Sequence, residues 1–140
     1  GARRLVPRIA VLGVGCRRGI GQQAMEEAFA ALLAQSGLCA EAFYKVCSID
    51  LKRDEPGLRA FCAAHGFAFE TFSAAQLAAV EGRFSSSGFV QSVTGVDNVC
   101  ERSAVLGSGG TLYCKKQAGG GVTMAAAMAP FAPDWRWQDE

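Results

Sequence analysis

The sequence predicts an α/β fold of three layers (α/β/α), in which helices cover both faces of a mixed, mostly parallel sheet. Short apolar runs alternate with segments whose apolar residues recur at helical spacing. The first run, I-A-V-L-G-V, is continuous rather than alternating, which is typical of a strand buried on both faces. The chain has 140 residues, of which 50% are hydrophobic, and this suits one domain with its own core.

The first half of the chain predicts two strand–helix units. The strands are residues 9–14, expected at the centre of the sheet, and residues 42–49. Each is followed by a helix that ends at a glycine, Gly37 in the first unit and Gly66 in the second. Pro56 indicates where the second helix begins, because proline is favoured in a first helical turn.

The next segments predict a third strand and two further helices. Residues 67–72 contain three phenylalanines and favour a strand. Ser73 and Gln76 form a capping-box pattern that begins a short helix extending to residue 80. Thr94 or Asp97 is expected to cap a helix that runs to about residue 106.

Two strands close the predicted domain. Residues 111–114 and Val122–Met128 are joined through a glycine run and are expected to pair as a hairpin, which makes the sheet mixed. The domain is expected to span residues 1–130, and residues 131–140 to form a C-terminal tail.

The amino-acid composition argues against several classes of function. The 14 basic and 13 acidic residues give a net charge of +1, which argues against nucleic acid and against an anionic membrane as partners. The six cysteines include no C-x-x-C pair and there is one histidine, so we expect no metal site. Scattered cysteines and the absence of a long apolar segment indicate a soluble protein of the reducing cytoplasm.

The segment G-V-G-C-R-R-G-I-G follows the first strand and precedes a helix, a position where backbone N–H groups can bind an anion. The spacing of Gly13, Gly15 and Gly19 has one residue more between the second and third glycines than the dinucleotide-binding fingerprint has. The G-K-[ST] of a nucleoside triphosphate loop is also missing. We therefore expect no nucleotide cofactor and no cofactor of any other kind. Arg17 and Arg18 offer bidentate donors to a carboxylate or phosphate. The alternative is a tight turn for strand–helix packing, with solvated arginines.

Two side chains near these loops are weighed for catalysis. Cys16 lies in the glycine segment beside arginines and a helix N-terminus, where the pKa of a thiol is expected to fall; without a histidine nearby, a nucleophilic role is not favoured. Asp50 follows the second strand and is a candidate general acid or base. Asp54 and Glu55 are better explained by the positive end of the second helix. In an open α/β sheet, loops at the carboxyl ends of parallel strands lie close together, so both loops are expected near one crevice.

Four residues or pairs of residues elsewhere in the chain each have a functional and a structural interpretation. Glu101 is a candidate base or part of a solvated helical face. Lys115 and Lys116 either add charge to the site or protect a sheet edge. Thr123 places a hydroxyl at the crevice or in a surface turn, and His65 is expected to cap a helix or pack against it.

Four blocks resemble the cobalamin-biosynthesis family that comprises stand-alone CobE proteins and the C-terminal domain of CbiG. They are G-V-G-C-R-R-G from residue 13, S-I-D-L-K from residue 48 with D-E-P-G from residue 54, G-V from residue 95 with Val99 and Glu101, and G-V-T from residue 121 with Ala125. The resemblance implies an α/β/α domain that acts in corrin ring construction on a tetrapyrrole rich in carboxylates. In that family, CbiG is associated with opening a precorrin lactone and releasing acetaldehyde, as a larger protein. The length of this chain resembles the stand-alone form.

The leading hypothesis is therefore a corrin-pathway protein that binds a precorrin at the carboxyl ends of its strands. The expected ligand-binding residues are Gly13, Gly15, Cys16, Arg17, Arg18, Gly19, Ser48, Asp50, Lys52 and Thr123. Residues 85–89 are expected to close over the ring as a lid. One alternative is a hydrolase or lyase acting on a precorrin lactone, with Asp50 or Glu101 as general base. Another is a carrier or scaffold that passes labile intermediates between the cobalamin-pathway enzymes.

Overall fold

The computed structural model describes residues 8–81 and 98–130. In these ranges the strands form a five-stranded sheet of order β3-β2-β1-β5-β4, with the first strand at its centre as predicted. The strands are β1 (Ala10–Cys16), β2 (Phe43–Ile49), β3 (Ala68–Phe72), β4 (Thr111–Gly119) and β5 (Val122–Met128).

Four α-helices and two short 3-10 turns connect the described strands. The helices are α1 (Gln22–Ser36), α2 (Pro56–His65), α3 (Ala74–Ala78) and α4 (Val99–Ser108), and the turns are Ala40–Ala42 and Asp50–Lys52. Gly37 and Gly66 end α1 and α2 as predicted, and both have a left-handed backbone conformation, with φ of 78° and 73°. None of the helices in the described ranges combines the length and the hydropathy that a membrane span requires.

The sheet is mixed and mostly parallel, as the sequence predicts. β1 pairs in parallel with β2, and β2 with β3. β5 runs antiparallel both to β1 and to β4, so β4 points in the same direction as β1. The carboxyl ends of β1, β2, β3 and β4 therefore lie at one edge of the sheet, which we call the carboxyl edge.

Helices cover both faces of the sheet and complete the predicted three layers. Leu12 and Val14 of β1 belong to a core that also contains Phe29 of α1 and Phe61 of α2. Val11 faces the opposite layer, where Leu77 of α3 and Val99 of α4 pack. Adjacent residues of a strand point to opposite faces of the sheet. Because both faces of β1 are covered, the strand is apolar along its whole length.

The start of α4 differs from the prediction. Asn98 is its N-cap, with a left-handed backbone (φ 51°), and its Oδ1 accepts a hydrogen bond from the Glu101 N–H at 3.1 Å. Thr94 and Asp97 lie outside the described residues. The pattern N-x-x-E signals this cap in the sequence, because a short polar side chain three residues before a glutamate is typical of a helix N-terminus.

The other elements follow the predictions with small changes. Ser73 and Gln76 form the predicted capping box at the start of α3, which ends slightly earlier than predicted, at Ala78. The hairpin of β4 and β5 is confirmed, but β4 continues to Gly119 because it pairs with β5 up to the glycine turn. The lid expected at residues 85–89 and the tail expected at residues 131–140 lie outside the described residues.

Candidate functional site

The two loops at the carboxyl edge touch each other. The turn of residues 17–21 follows β1, and the segment of residues 50–55 follows β2. The Gly19 N–H donates a hydrogen bond to Oε1 of Glu55 at 3.0 Å. Gly57 packs so closely against the Ile20 carbonyl that a Cβ at this position has no space. The structure therefore brings together the glycine turn and the charged segment, as expected from the parallel strands.

The two arginines of the turn are exposed to solvent. In the described ranges, neither Arg17 nor Arg18 has a carboxylate within 4.0 Å. The Arg17 backbone N–H donates to the Gly121 carbonyl at 2.9 Å, which fixes the turn to the β4–β5 hairpin. Both guanidinium groups are thus available to an anion in solution.

Lys52 differs from the arginines because it is buried, with an exposed fraction of 8%. Its ammonium has no hydrogen bond or ion pair to any group among the residues that the structure describes. Its positive charge lowers the pKa of the Cys16 thiol, although the effect of burial on that pKa is larger. A buried ammonium without a partner is energetically costly, which makes Lys52 the most informative charged residue of the edge.

Glu55 has a different partner from the one its position suggests. It is the N-cap residue of α2, yet its side chain makes no capping hydrogen bond to that helix. The carboxylate instead crosses to the Gly19 N–H of the glycine turn. The prediction that Glu55 serves the dipole of α2 is therefore incomplete, since its hydrogen bond joins the two loops.

The expectation that the pKa of Cys16 is lowered was wrong. Burial raises the pKa of this thiol from 9.0 to about 11, against the smaller opposing effect of Lys52. Glu55 raises the pKa further. A thiol that stays protonated at neutral pH is a poor nucleophile, which agrees with the sequence-based judgement on catalysis.

Gly13 and Gly15 lie within β1, which corrects their expected placement in the turn. A Cβ on Gly13 would overlap the Cys100 carbonyl of α4, so this glycine allows the helix to approach the strand closely. A Cβ on Gly15 would lie 2.7 Å from Oγ1 of Thr123. Gly19 alone of these three has an open position in the turn, with φ of 79°.

Ser48 and Thr123 use their hydroxyls within the protein. Ser48 is fully buried, and its Oγ donates to the Val14 carbonyl at 2.6 Å. The ligand contact expected for Ser48 stays a prediction; in the structure its side chain bonds to the neighbouring strand. Oγ1 of Thr123 donates to the Gly15 carbonyl at 3.3 Å, and the residue is half-buried near the end of β1.

The two candidate bases have separate environments. Asp50 lies in the 3-10 turn after β2, 42% exposed, with its carboxylate 3.2 Å from the Arg53 guanidinium. Glu101 is fully buried; its Oε1 accepts from Nδ2 of Asn98 and its Oε2 from the Lys116 N–H, both at 2.7 Å. The alternative of a solvated helical face is therefore wrong for Glu101. The bond from the Lys116 N–H joins α4 to the edge strand β4.

Lys115 and His65 are not part of the contact between the two loops. Lys115 is exposed on β4, in a stretch where the pairing register with β5 shifts. His65 stacks on Phe67 at a centroid distance of 5.1 Å, and its Nε2 lies 2.7 Å from Oε1 of Glu26. The packing role predicted for His65 is confirmed.

A depression of about 550 Å³ lies at the opposite edge of the sheet and includes none of the predicted site residues. Its lining residues are Ile9, Gly109, Gly110, Thr111, Met128, Ala129 and Pro130. In the described parts of the chain, no group of three or more His, Cys, Asp or Glu residues is arranged to hold a metal ion.

Comparisons with known proteins identify the relatives of this chain. The family model described as "Cobalamin synthesis G C-terminus" matches residues 10–127. Cobalt-precorrin-5A hydrolase of Priestia megaterium is 31% identical over 126 residues, which cover 89% of this chain and 33% of that protein. The enzyme of the same name from Salmonella typhimurium strain LT2 is 34% identical, with 90% of this chain and 36% of that protein covered.

A solved structure agrees with these sequence matches. The crystal structure of CobE, a protein from the cobalamin (vitamin B12) biosynthetic pathway, superposes with a TM-score of 0.81 and 28% identity, over 89% of this chain and 93% of that one. The chain spans about a third of the length of the curated hydrolases that it matches. It belongs to the cobalamin-biosynthesis family formed by CobE and the C-terminal domain of CbiG.

Proposed function

We propose that this chain binds a carboxylate-rich precorrin intermediate at the carboxyl edge of its sheet. Lys52, Arg17 and Arg18 hold the side-chain carboxylates of the ligand. The observation that carries the proposal is the buried side chain of Lys52, whose ammonium lacks an anionic partner among the described residues. A ligand carboxylate supplies the missing charge, and this offsets part of the cost of burying the ammonium.

The surroundings of Lys52 support an anionic and partly apolar ligand. The first turn of α1 contains no acidic residue, so the positive end of its dipole adds to the charge of the two arginines. Leu51, between Asp50 and Lys52, is 62% exposed. A large exposed apolar side chain beside cationic groups suits a tetrapyrrole, which has an apolar ring and carboxylate arms.

The named relatives suggest the ligand with which to begin. Two of them are cobalt-precorrin-5A hydrolases, and the matching part is about a third of each. Cobalt-precorrin-5A is therefore the first ligand to test. On this proposal the chain retains that pigment through size-exclusion chromatography.

The experiment compares variants that remove one exposed positive charge each. We expect Arg17→Ala and Arg18→Ala to weaken pigment binding several-fold each, and together by about tenfold or more, because charge-assisted hydrogen bonds are among the stronger polar contacts. Arg8→Ala, at the opposite edge of the sheet, is the control for loss of one exposed charge and should bind as the wild type does. Equal binding by the wild type and the double variant would reject this site.

A hydrolase or lyase that opens a precorrin lactone is the second candidate, favoured by the position of Asp50. Its carboxylate is partly exposed and is two residues from Lys52, so it can reach a ligand held there. Glu101 is a weaker candidate base, because both of its carboxylate oxygens already accept hydrogen bonds within the protein. A changed mass of the retained pigment supports this candidate, whereas an unchanged mass supports a carrier that delivers the intermediate to other pathway enzymes.

A further inference from the structure

We propose that Glu55 is an internal competitor for the anion site: its carboxylate occupies the Gly19 N–H in the free protein, and a carboxylate of the ligand replaces it. This inference rests on the proposed function and names a residue that sets the affinity of the same site. Glu55 therefore weakens binding in the wild-type protein, although it lies within the site.

The contact joins two loops that are far apart in the sequence. The side chains that cap a helix by accepting a hydrogen bond from its first turn are mainly those of Ser, Thr, Asp and Asn. Glu55 makes no such bond, and its Oε1 lies 3.0 Å from the Gly19 N–H, 36 residues earlier in the chain. The carboxylate of Glu55 is thus placed where the proposed ligand carboxylates would bind.

The Gly19 N–H is accessible to a ligand once Glu55 has moved. Gly19 is exposed, and a Cβ at this position would have no neighbour within 4 Å among the described atoms. Arg17 and Arg18 precede it directly, so an incoming carboxylate meets two guanidinium groups and one backbone donor. The hydrogen bond of Glu55 is exposed to solvent, and such a bond contributes little to stability. A hydrogen bond from Gly19 to a ligand can therefore replace it.

A structural role for Glu55 makes the opposite prediction. If the carboxylate were needed to hold the turn of residues 17–21 in its binding conformation, its removal would weaken binding. If it competes with the ligand, its removal strengthens binding. The direction of the change in Kd thus separates the two roles.

The experiment titrates cobalt-precorrin-5A into the wild type, Glu55→Ala and Glu55→Gln, and includes Asp54→Ala as a matched control. Asp54 is the neighbouring acid, 93% exposed and 4.0 Å from Arg59, so its loss removes the same charge without touching the turn. We expect Glu55→Ala to bind about three to ten times more tightly than the wild type, which corresponds to the net free energy of one modest hydrogen bond. Glu55→Gln keeps an acceptor oxygen but loses the charge, so its affinity should lie between those of the wild type and Glu55→Ala.

Two outcomes would overturn the inference while leaving the proposed function intact. In one, the wild type binds the pigment and Glu55→Ala binds it no more tightly. In the other, Asp54→Ala raises the affinity as much as Glu55→Ala does, so that general charge and not the contact is responsible. If neither the wild type nor Glu55→Ala retains pigment, the proposed function fails and the inference falls with it.

The amide resonance of Gly19 provides a readout that does not depend on affinity. In the free protein, Glu55→Ala should move this resonance, because a charge-assisted hydrogen bond is lost. Saturation with cobalt-precorrin-5A should bring the Gly19 resonances of the wild type and Glu55→Ala together, since the ligand occupies the same donor in both. Resonances that stay apart in the two saturated proteins would show that Glu55 keeps its place.

Discussion

The side chain of Lys52 is buried and makes no hydrogen bond or ion pair within the described residues. Its place after a buried strand is readable from the sequence, and so is the cluster of charges around it. The burial of Lys52 is not readable from the sequence, because it depends on how the 3-10 turn Asp50–Lys52 packs in the folded chain. The same holds for Cys16, whose raised pKa follows from burial and not from the neighbouring charges that the sequence displays.

Replacing Lys52 by methionine separates stability from binding. Methionine keeps the long side chain and removes the charge, so the cost of burying an unpaired ammonium disappears. We expect the free energy of unfolding to stay equal or to rise, while the affinity for cobalt-precorrin-5A falls about tenfold. Urea unfolding and pigment titration measure the two effects. A loss of stability with unchanged affinity would mean that Lys52 has a structural partner instead.

The elements of the fold were predicted well where local signals decide them. Gly37, Gly66 and the capping box of Ser73 fix helix ends through their own backbone chemistry, and all three are confirmed. Close strand–helix packing was the alternative considered for Gly13 and Gly15, and Gly13 agrees with it, but the helix involved, α4, was not predicted because it is far from β1 in the sequence. A glycine motif therefore indicates that space is needed, but not whether a ligand or a helix fills it.

The packing role of Gly13 leads to a prediction about the contact of α4 with β1. Gly13→Ala places a Cβ against the Cys100 carbonyl and should lower the free energy of unfolding by about 1–3 kcal/mol, the usual cost of overpacking. Gly21→Ala is the matched control, because a Cβ at Gly21 meets nothing within 4 Å. Chemical unfolding of both variants gives the comparison. A Gly13→Ala protein that is fully stable but no longer binds pigment would restore Gly13 to the ligand site.

At the scale of the whole molecule, the alternation of strands and helices was sufficient to predict the α/β/α layers and the mixed sheet. It also predicted that the loops after β1 and β2 meet, because parallel strands end at the same edge. The hydrogen bond from the Lys116 N–H of β4 to Glu101 was not predictable, since Lys116 lies in a stretch of this edge strand where the pairing register shifts. Long-range polar contacts of this kind have no local pattern in the sequence.

Buried thiols distributed through the molecule predict how its stability varies with pH. Burial raises the pKa of Cys16 to about 11 and those of Cys47, Cys62 and Cys100 to about 12, from 9.0. Below pH 9 these thiols are protonated in both the folded and the unfolded chain. Above pH 9 the unfolded chain loses these protons first, so the free energy of unfolding falls as pH rises toward the pKa values of the folded state.

Urea unfolding at pH 8 and pH 10 tests this dependence. Cys16→Ser should lose less stability between the two pH values than the wild type loses, because one thiol with a raised pKa has been removed. Cys39→Ser, at an exposed cysteine, should follow the wild type. Identical losses for Cys16→Ser and Cys39→Ser would show that burial of Cys16 does not contribute.

The central claim is that the carboxyl edge of the sheet binds a carboxylate-rich precorrin through Arg17, Arg18 and Lys52. The most direct test incubates the wild type and the Arg17→Ala, Arg18→Ala double variant with cobalt-precorrin-5A without oxygen, and measures the spectrum and the mass of the pigment retained after size-exclusion chromatography. We predict that the wild type retains pigment and that the double variant retains about a tenth as much or less. Equal retention by both proteins, or no retention by the wild type, would contradict the claim.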